Sequence, residues 1–485
     1  MNNTILGIVN NKLICQDNET IPNSNVLVVG GPGSLKTQSF TITNVLAETE
    51  NTIILPDPKG EVYEATAGIK EKQGYEVHVI NYMYMNKSSR QNPLDYVKRD
   101  IHATNVATKI VESENKDGKK DVWFNTQRQL LRALILYVIH ELPPRERNFN
   151  GIIDFLQAYD TEKPEDGQSE LDKVFSNLEF RHPARRAYEL GFKKTKGEMQ
   201  GSVISSLLGT IANFIDEEVG EFTSFSDFDL KDLGRKKMIL YVIIPIMDNP
   251  FEGLINLLFS QMFSQLYELG AENGSKLPIN VNFIFEEFVN LGKFHQYEEF
   301  LATCRGYGIS VTTICQTITQ LQNKYNRERA ESIIGNHAVK ICLTASNKTT
   351  AKEFSDLIGS ATVKVETENQ SRTNSKESTT TNSEGINYTR RSLIEPDEIM
   401  RMGQMESLLI FTSRPPMKVK KAVQWEVFPG IVGLYPKKQL EYKPVTSKER
   451  LARIEKLEKE FEEKMKHRKE TTEVEVVDFE EFEEL

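Results

Sequence analysis

A strand-turn-helix pattern near the N terminus, NVLVVGGPGSLKTQSF, constrains the fold of this chain more than any other feature. An apolar run at residues 25–29 leads into a glycine-rich turn and then into a helical pattern. Backbone N–H groups of such a turn converge on phosphate, the lysine adds a positive charge, and the next hydroxyl can ligate Mg²⁺. The pattern predicts a P-loop whose nucleotide-binding residues are Gly30, Gly31, Pro32, Gly33, Ser34, Leu35, Lys36 and Thr37.

The P-loop pattern GxxxxGK[ST] is broken at one position, because Leu35 stands where the pattern has glycine. If the loop needs a left-handed backbone there, the Cβ of Leu35 costs roughly 1 kcal/mol or more. A strand-to-helix turn that binds no nucleotide is the alternative interpretation of the same residues.

A second part of the site is predicted at residues 281–287, an apolar strand that ends in two acids. Glu286 is placed to hold Mg²⁺ together with Thr37, and Glu287 to polarise the attacking water. The usual first acid is aspartate, so the longer Glu286 predicts a looser metal geometry. A solvated strand end is the alternative for the two glutamates.

A third apolar strand, residues 310–314, is followed by Gln316. An amide at that point can sense the γ-phosphate or orient the water, whereas a surface amide is the alternative. Arg305 precedes this strand between a helical pattern and glycines, where a guanidinium could reach the phosphate of an adjacent subunit as an arginine finger. A salt bridge is the alternative for Arg305.

The fold class predicted from the residues is α/β with a mainly parallel sheet. Continuously apolar, β-branched runs separated by helical patterns are typical of strands buried on both faces. Residues 101–231 show helical periodicity and no convincing strand, which predicts an inserted all-α domain. The predicted strands are residues 25–29, 52–55, 77–80, 238–244, 281–285, 311–314, 339–344 and 407–412.

Two polar segments complete the organisation. Residues 366–384 consist almost wholly of polar residues and are predicted to form a disordered loop. Residues 436–485 are predicted to form a charged helix with a narrow apolar stripe, followed by an acidic tail. The tail from Glu470 contains eight acids and no base, so it accounts for most of the net charge of −10. The rest of the chain is therefore close to neutral and can present local basic surfaces.

The longest apolar run, residues 238–247, is too short to cross a bilayer. We therefore expect a soluble chain without a transmembrane segment or signal peptide. The four cysteines are far apart, which argues against a disulfide framework or a zinc ribbon.

The order of the motifs resembles the type IV coupling proteins of conjugation and type IV secretion, the TraG/TraD family of hexameric RecA-like ATPases related to FtsK and HerA. The resemblance covers about residues 20–430. After the P-loop, it is carried by ILPDPKGE at 54–61, NPLD at 92–95, FIFEEFVNLG at 283–292, RGYGI at 305–309, Gln316, IGNH at 334–337 and SLIEPDEI at 392–399.

The resemblance implies a RecA-like nucleotide-binding domain at residues 1–100 and 232–435 that carries the all-α domain at 101–231. It implies ATP and Mg²⁺ as cofactors, with Lys36 and Thr37 at the nucleotide, Glu286 and Glu287 as the acidic motif and Gln316 as the glutamine of the third strand. The implied partners are single-stranded DNA, relaxase with accessory relaxosome proteins, and channel subunits of a type IV secretion system. A homo-hexamer at the cytoplasmic face of the bacterial membrane is the implied assembly.

Three alternatives stay open at the level of sequence. Leu35 and Glu286 are compatible with a nucleotide-gated docking receptor that hydrolyses little. Family members usually begin with transmembrane helices, so we expect either a soluble part of a longer protein or a chain anchored by a separate membrane subunit. An FtsK-like DNA pump is the nearest other motor, and the DPKGE and NPLD segments argue against it.

Overall fold

The computed structural model describes residues 3–18, 23–114, 120–159, 167–195, 197–247, 249–294, 296–373, 379–431, 437–438 and 441–473. The strands are β1 (Asn3–Val9), β2 (Lys12–Asp17), β3 (Val26–Gly30), β4 (Thr52–Pro56), β5 (Glu76–Asn81), β6 (Met238–Ile243), β7 (Val281–Phe285), β8 (Ile309–Cys315), β9 (Val339–Thr344), β10 (Ser360–Thr373), β11 (Thr379–Ser392), β12 (Glu406–Phe411) and β13 (Arg414–Lys420).

The helices, apart from single 3-10 and π turns, are α1 (Ile42–Ala47), α2 (Glu61–Lys72), α3 (Asp100–Glu114), α4 (Val122–Glu141), α5 (Phe149–Ala158), α6 (Glu170–Ser176), α7 (Pro183–Ala187), α8 (Gly197–Ile211), α9 (Glu217–Phe222), α10 (Glu252–Glu272), α11 (Tyr297–Thr303), α12 (Ile318–Tyr325), α13 (Arg327–Gly335), α14 (Lys348–Ile358), α15 (Pro396–Met400), α16 (Gln424–Val427) and α17 (Lys448–Glu473).

The chain divides into two compact units, and the first comprises residues 1–56, 64–74 and 280–438. Its sheet has the strand order β2-β1-β13-β12-β9-β3-β8-β7-β4. The five strands from β9 to β4 are parallel, and β12, β13, β1 and β2 pair antiparallel at the other side. Every residue of β3 and β4 is buried, which explains why these strands are apolar without alternation.

The register of the parallel strands brings three loops to one edge of this sheet. Val29 near the end of β3 pairs with Cys315 at the end of β8, and Phe285 at the end of β7 pairs with Thr313 of β8. On the other side of β3, Gly30 pairs with Thr344 at the end of β9. The residues that follow β3, β7, β8 and β9 therefore meet at the carboxyl edge of the sheet, where ligands of open α/β sheets bind.

The second unit comprises residues 57–63, 75–279 and 439–485. It contains the parallel pair β5 and β6 and the helices α3 to α10 and α17. The described part of residues 101–231 contains helices and no strand. The predicted division into a domain of residues 1–100 and 232–435 and an all-α domain of residues 101–231 stays a prediction, since the compact units are cut at other positions.

The expected disordered loop at residues 366–384 is wrong for the part that the structure describes. Strands β10 and β11 pair antiparallel from Ser360 with Ser392 to Thr373 with Thr379, and residues 374–378 lie outside the described residues. An antiparallel ladder satisfies backbone hydrogen bonds without a buried face, and the β-branched threonines of both strands favour it. Polar composition therefore did not exclude a strand pair here.

The charged helix predicted within residues 436–485 corresponds to α17. Arg450 of this helix pairs with Asp95 and donates to the carbonyl of Ser226 at 3.0 Å, both within the second unit. Most of the acidic tail, residues 474–485, lies outside the described residues. Among the described helices, none is both long enough and apolar enough to span a bilayer.

Candidate nucleotide-binding site

The turn after β3 folds into a compact loop that ends at a helix N-terminus. Gly33 and Leu35 have left-handed backbones, with φ of +73° and +64°. The amide of Ser34 donates to the carbonyl of Gly31 at 3.2 Å, which closes the turn. Helical geometry starts at Thr37 and continues through α1. The predicted strand, glycine turn and helix are all present.

Leu35 carries the backbone strain that the sequence predicts. A residue with a Cβ at this φ costs about 1–2 kcal/mol relative to the right-handed region. The strain lies next to Lys36, the residue expected to contact the phosphates, so it is stored within the candidate site.

We expect a Leu35→Gly variant to be more stable than a Leu35→Ala variant by about 1 kcal/mol. Both changes remove the same side chain beyond Cβ, but only alanine keeps a Cβ in the left-handed region. Urea unfolding of the two variants measures the difference. Equal midpoints would contradict a strained left-handed backbone at this position.

Gly30 and Gly31 are needed because β9 and the loop itself approach closely. A Cβ on Gly31 would lie 2.9 Å from Cβ of Ser346, and one on Gly30 would lie 2.5 Å from Oγ of Ser34. The amide of Gly31 also donates to Oγ1 of Thr344 at 3.2 Å. The end of β9 therefore supports the loop from one side.

Thr37 and Glu286 lie in direct contact at the predicted metal position. Oγ1 of Thr37 donates to Oε1 of Glu286 at 2.8 Å. Thr41, one helical turn after Thr37, donates to the second carboxylate oxygen of Glu286. Both carboxylate oxygens of Glu286 are therefore held by threonine hydroxyls.

The residues at this position fit a divalent cation. Burial raises the pKa of Glu286, and the hydrogen bonds from Thr41 and Thr37 oppose that rise only in part. A cation beside the carboxylate would favour its charged form, and one carboxylate with a hydroxyl and phosphate oxygens is a typical oxygen ligand set for Mg²⁺. The buried hydroxyl of Ser34 makes no hydrogen bond within the described residues, so the loop also has a polar group available to a ligand.

Glu287 lies between a cation and an amide. Its Oε1 lies 3.4 Å from Nζ of Lys36, and its Oε2 accepts from Nε2 of Gln316 at 3.1 Å. Lys36 also donates to the carbonyl of Gly30 at 2.8 Å. The left-handed backbone of Glu287, with φ of +51°, turns the chain directly after Glu286. Three residues predicted from separate motifs thus form one connected cluster.

Arg305 is not brought to this cluster. It is exposed and lies in a 3-10 turn, Cys304–Tyr307, that precedes β8. Gln316 follows β8, so the whole length of that strand separates Arg305 from the carboxyl edge of the sheet. A role in its own subunit's site is excluded by this placement, and the predicted role as a finger toward an adjacent subunit stays a prediction.

Three residues at the site were not predicted from the sequence. Thr41 could have been identified, since a hydroxyl four residues after Thr37 lies on the same face of a helix. Thr344 is placed by strand pairing alone. Lys421 donates from Nζ to the carbonyl of Ser34 at 2.9 Å. Its sequence context does not indicate this contact, because it is the last residue of a basic stretch, KVKK, of the kind common on protein surfaces.

The sequence has a group of lysines and arginines within residues 181–196, in the second unit, and two of the described ones are engaged locally. Arg185 pairs with Glu189 at 2.9 Å and donates to two backbone carbonyls. Lys193 lies 3.7 Å from Asp172. Exposed basic residues nearby are Arg181, Arg186 and Lys194, and Lys196 lies outside the described residues.

A P-loop after β3, two acids after β7 and a glutamine after β8 define the class of RecA-like P-loop NTPases. The fold agrees with solved structures. The unbound conjugative coupling protein TrwBdeltaN70 superposes with a TM-score of 0.60 at 16% identity over 92% of this chain and 91% of that one. TrwB in complex with ADP and Mg²⁺ gives a TM-score of 0.56 at 15% identity, with 91% and 92% covered.

The chain belongs to the family described as "Type IV secretory system Conjugative DNA transfer", which matches residues 3–472. The conjugal transfer protein TraG of Escherichia coli is 25% identical over 391 residues, which is 74% of this chain and 59% of TraG. VirD4 of Rhizobium radiobacter is 26% identical over 385 residues, which is 77% of this chain and 53% of VirD4. The chain thus aligns with little more than half the length of these relatives.

Proposed function

We propose that this chain is an ATPase coupling protein, which recruits relaxase-bound DNA and hydrolyses ATP to drive or gate the transfer of single-stranded DNA and attached protein into a type IV secretion channel. One observation carries the proposal. Glu286 is bound to Thr37 while Glu287 is held between Lys36 and Gln316, at the carboxyl edge of adjacent parallel strands. Family membership and the nucleotide complexes of TrwB support ATP and Mg²⁺ as the ligands.

The chemistry that this cluster can support is phosphoryl transfer to water. The loop amides and the Lys36 ammonium bind and orient the phosphates, and Glu286 and Thr37 would hold Mg²⁺, which neutralises charge on the phosphate oxygens. Glu287 is the group placed to accept a proton from the attacking water, because Gln316 fixes one of its oxygens and Lys36 faces the other. Arg305 would complete the site from an adjacent subunit of a homo-hexamer.

The proposed partners are based on family membership and not on a binding surface identified in the structure. We propose single-stranded DNA, relaxase with accessory relaxosome proteins, and secretion-channel subunits as partners, and the cytoplasmic face of the bacterial membrane as the location. The family description names conjugative DNA transfer and one relative is named a type IV secretion system-coupling protein, which supports DNA and a secretion system as partners.

A nucleotide-gated receptor with little hydrolysis is the second candidate, and Leu35 is the observation that favours it. Its left-handed backbone, with φ of +64°, stores strain directly beside the phosphate-binding lysine. Strain at this point is compatible with tight nucleotide binding and slow turnover.

ATP turnover by the purified chain distinguishes the two candidates. For the motor we expect Mg²⁺-dependent turnover that rises several-fold with single-stranded DNA, and a stimulation that falls steeply as salt increases. A Glu287→Gln preparation made in parallel is the control for contaminating ATPases. Nucleotide binding without turnover would favour the receptor, and absence of nucleotide binding would contradict both.

A further inference from the structure

Lys421 is a buried lysine that contacts the phosphate-binding loop from behind. It directly follows β13, and the residue is 1% exposed. Its backbone amide donates to the carbonyl of Met405 at 2.8 Å, which fixes the start of the side chain. Its ammonium donates to the carbonyl of Ser34 at 2.9 Å.

The residue that follows Lys421 is also attached to the helix that follows the loop. The carbonyl of Ala422 accepts a hydrogen bond from Oγ1 of Thr43 in α1 at 2.8 Å. Lys421 and Ala422 therefore bind the loop and its helix at two points, and the position of the ammonium relative to Ser34 is defined by the fold.

The contact acts on one particular peptide group. The carbonyl of Ser34 and the N–H of Leu35 belong to the same planar trans unit, so they point in opposite directions. A cation that holds the carbonyl on the outside of the loop turns the N–H toward the inside, where a P-loop binds phosphate. The same hydrogen bond holds the peptide that enters the strained Leu35.

Burial of an ammonium group at this position costs desolvation free energy. Burial lowers the pKa of Lys421 to about 8. The titratable group that faces it is Cys342 on β9, and burial raises the pKa of that thiol to about 12, so it carries no charge at neutral pH. An apolar side chain would fill the space without this cost, so packing alone does not account for the lysine.

We propose that Lys421 is a positioning residue of the nucleotide site, which orients the Ser34–Leu35 peptide toward the phosphates and adds positive charge behind the loop. The proposal rests on the proposed function, since it requires that the loop binds nucleotide. It assigns to the segment after β13 a role in nucleotide affinity that the P-loop motif does not include.

The test compares Lys421→Met with Lys420→Met in the full chain. Lys420 is adjacent, loses the same charge when changed, and is a surface residue paired with Glu426 at 2.7 Å. Calorimetric titration with Mg–ADP at pH 7.5 should show at least tenfold weaker binding for Lys421→Met and less than a twofold change for Lys420→Met. The thermal midpoint of Lys421→Met should be equal to or above that of the unchanged chain, because a buried charge is removed.

The pH dependence of binding gives a readout that a purely structural role would not move. Lys421 is charged below its pKa of about 8, so its contribution to affinity is present at pH 7.5 and is lost as the pH rises to 9.5. We expect several-fold weaker Mg–ADP binding at pH 9.5 for the unchanged chain and for Lys420→Met, and a smaller change for Lys421→Met.

Two outcomes would overturn the role of Lys421. One is normal affinity of Lys421→Met while the unchanged chain binds Mg–ADP. The other is an affinity of the unchanged chain that stays constant from pH 7.5 to 9.5, a result that can be obtained even if the variant fails to fold. Failure of the unchanged chain to bind Mg–ADP at pH 7.5 would instead contradict the proposed function.

Discussion

We expect Glu287→Gln to lower ATP turnover by about 10²–10⁴-fold while Mg–ADP affinity changes only a few-fold. Glutamine keeps the size of the side chain and an oxygen that can accept from Gln316, so the local structure is preserved. It cannot accept a proton from water, and the charge facing Lys36 at 3.4 Å is removed. Steady-state turnover and calorimetric titration of the same preparation measure both effects.

A matched control for this change is Glu299→Gln, on the exposed face of α11 in the same unit. We expect the turnover of Glu299→Gln to stay within twofold of that of the unchanged chain. Glu299 lies between Glu287 and β8 in the chain and is not part of the cluster of Lys36, Glu287 and Gln316. Turnover of Glu287→Gln close to that of the control would exclude Glu287 as the proton acceptor. A parallel loss of nucleotide affinity would instead assign it to binding.

The strands around the site could be predicted because burial on both faces leaves a simple signature. Each of the eight predicted apolar runs corresponds to a strand, from β3 at Val26–Gly30 to β12 at Glu406–Phe411. The contact of Glu286 with Thr37 and that of Gln316 with Glu287 follow from the same logic. Carboxyl ends of parallel strands share one edge of a sheet, so motifs far apart in sequence meet there.

Five of the antiparallel strands were not predicted, namely β1, β2, β10, β11 and β13, for three physical reasons. β1 and β2 are partly exposed, and β13 begins with an exposed arginine and two prolines. In β10 and β11 the ladder is made by the backbone, so polar side chains give no period to detect. The position of β13 between β12 and β1 depends on pairings between distant segments.

Because β13 was not predicted, the burial of Lys421 directly after it was not predicted either. The sequence KVKK is typical of a solvated strand end, and Lys420 is exposed as that interpretation predicts. Lys421 faces the opposite way because successive side chains of an extended chain alternate, and the loop of β3 happens to lie on that side. Only the three-dimensional pairing decides which lysine of the pair is buried.

We expect Lys36→Ala to weaken Mg–ADP binding by roughly 10²-fold and to reduce turnover to background. Lys36 is nearly buried, and its ammonium bonds the carbonyl of Gly30 at 2.8 Å while facing Glu287. Its loss removes the loop's own cation and leaves the charge of Glu287 uncompensated next to the phosphate position, so repulsion adds to the lost attraction. Titration with Mg–ADP measures the affinity, and Lys420→Met is the control for a lysine lost elsewhere in the same unit.

The double variant Lys36→Ala/Glu287→Gln separates the two parts of that loss. Removal of the uncompensated carboxylate should recover part of the Mg–ADP affinity of Lys36→Ala, because the repulsion disappears while the lost attraction does not return. Turnover should stay at background, since neither the cation nor the proton acceptor is present. Affinities of the single and double variants that simply add would contradict the coupling between Lys36 and Glu287 on which the site's geometry depends.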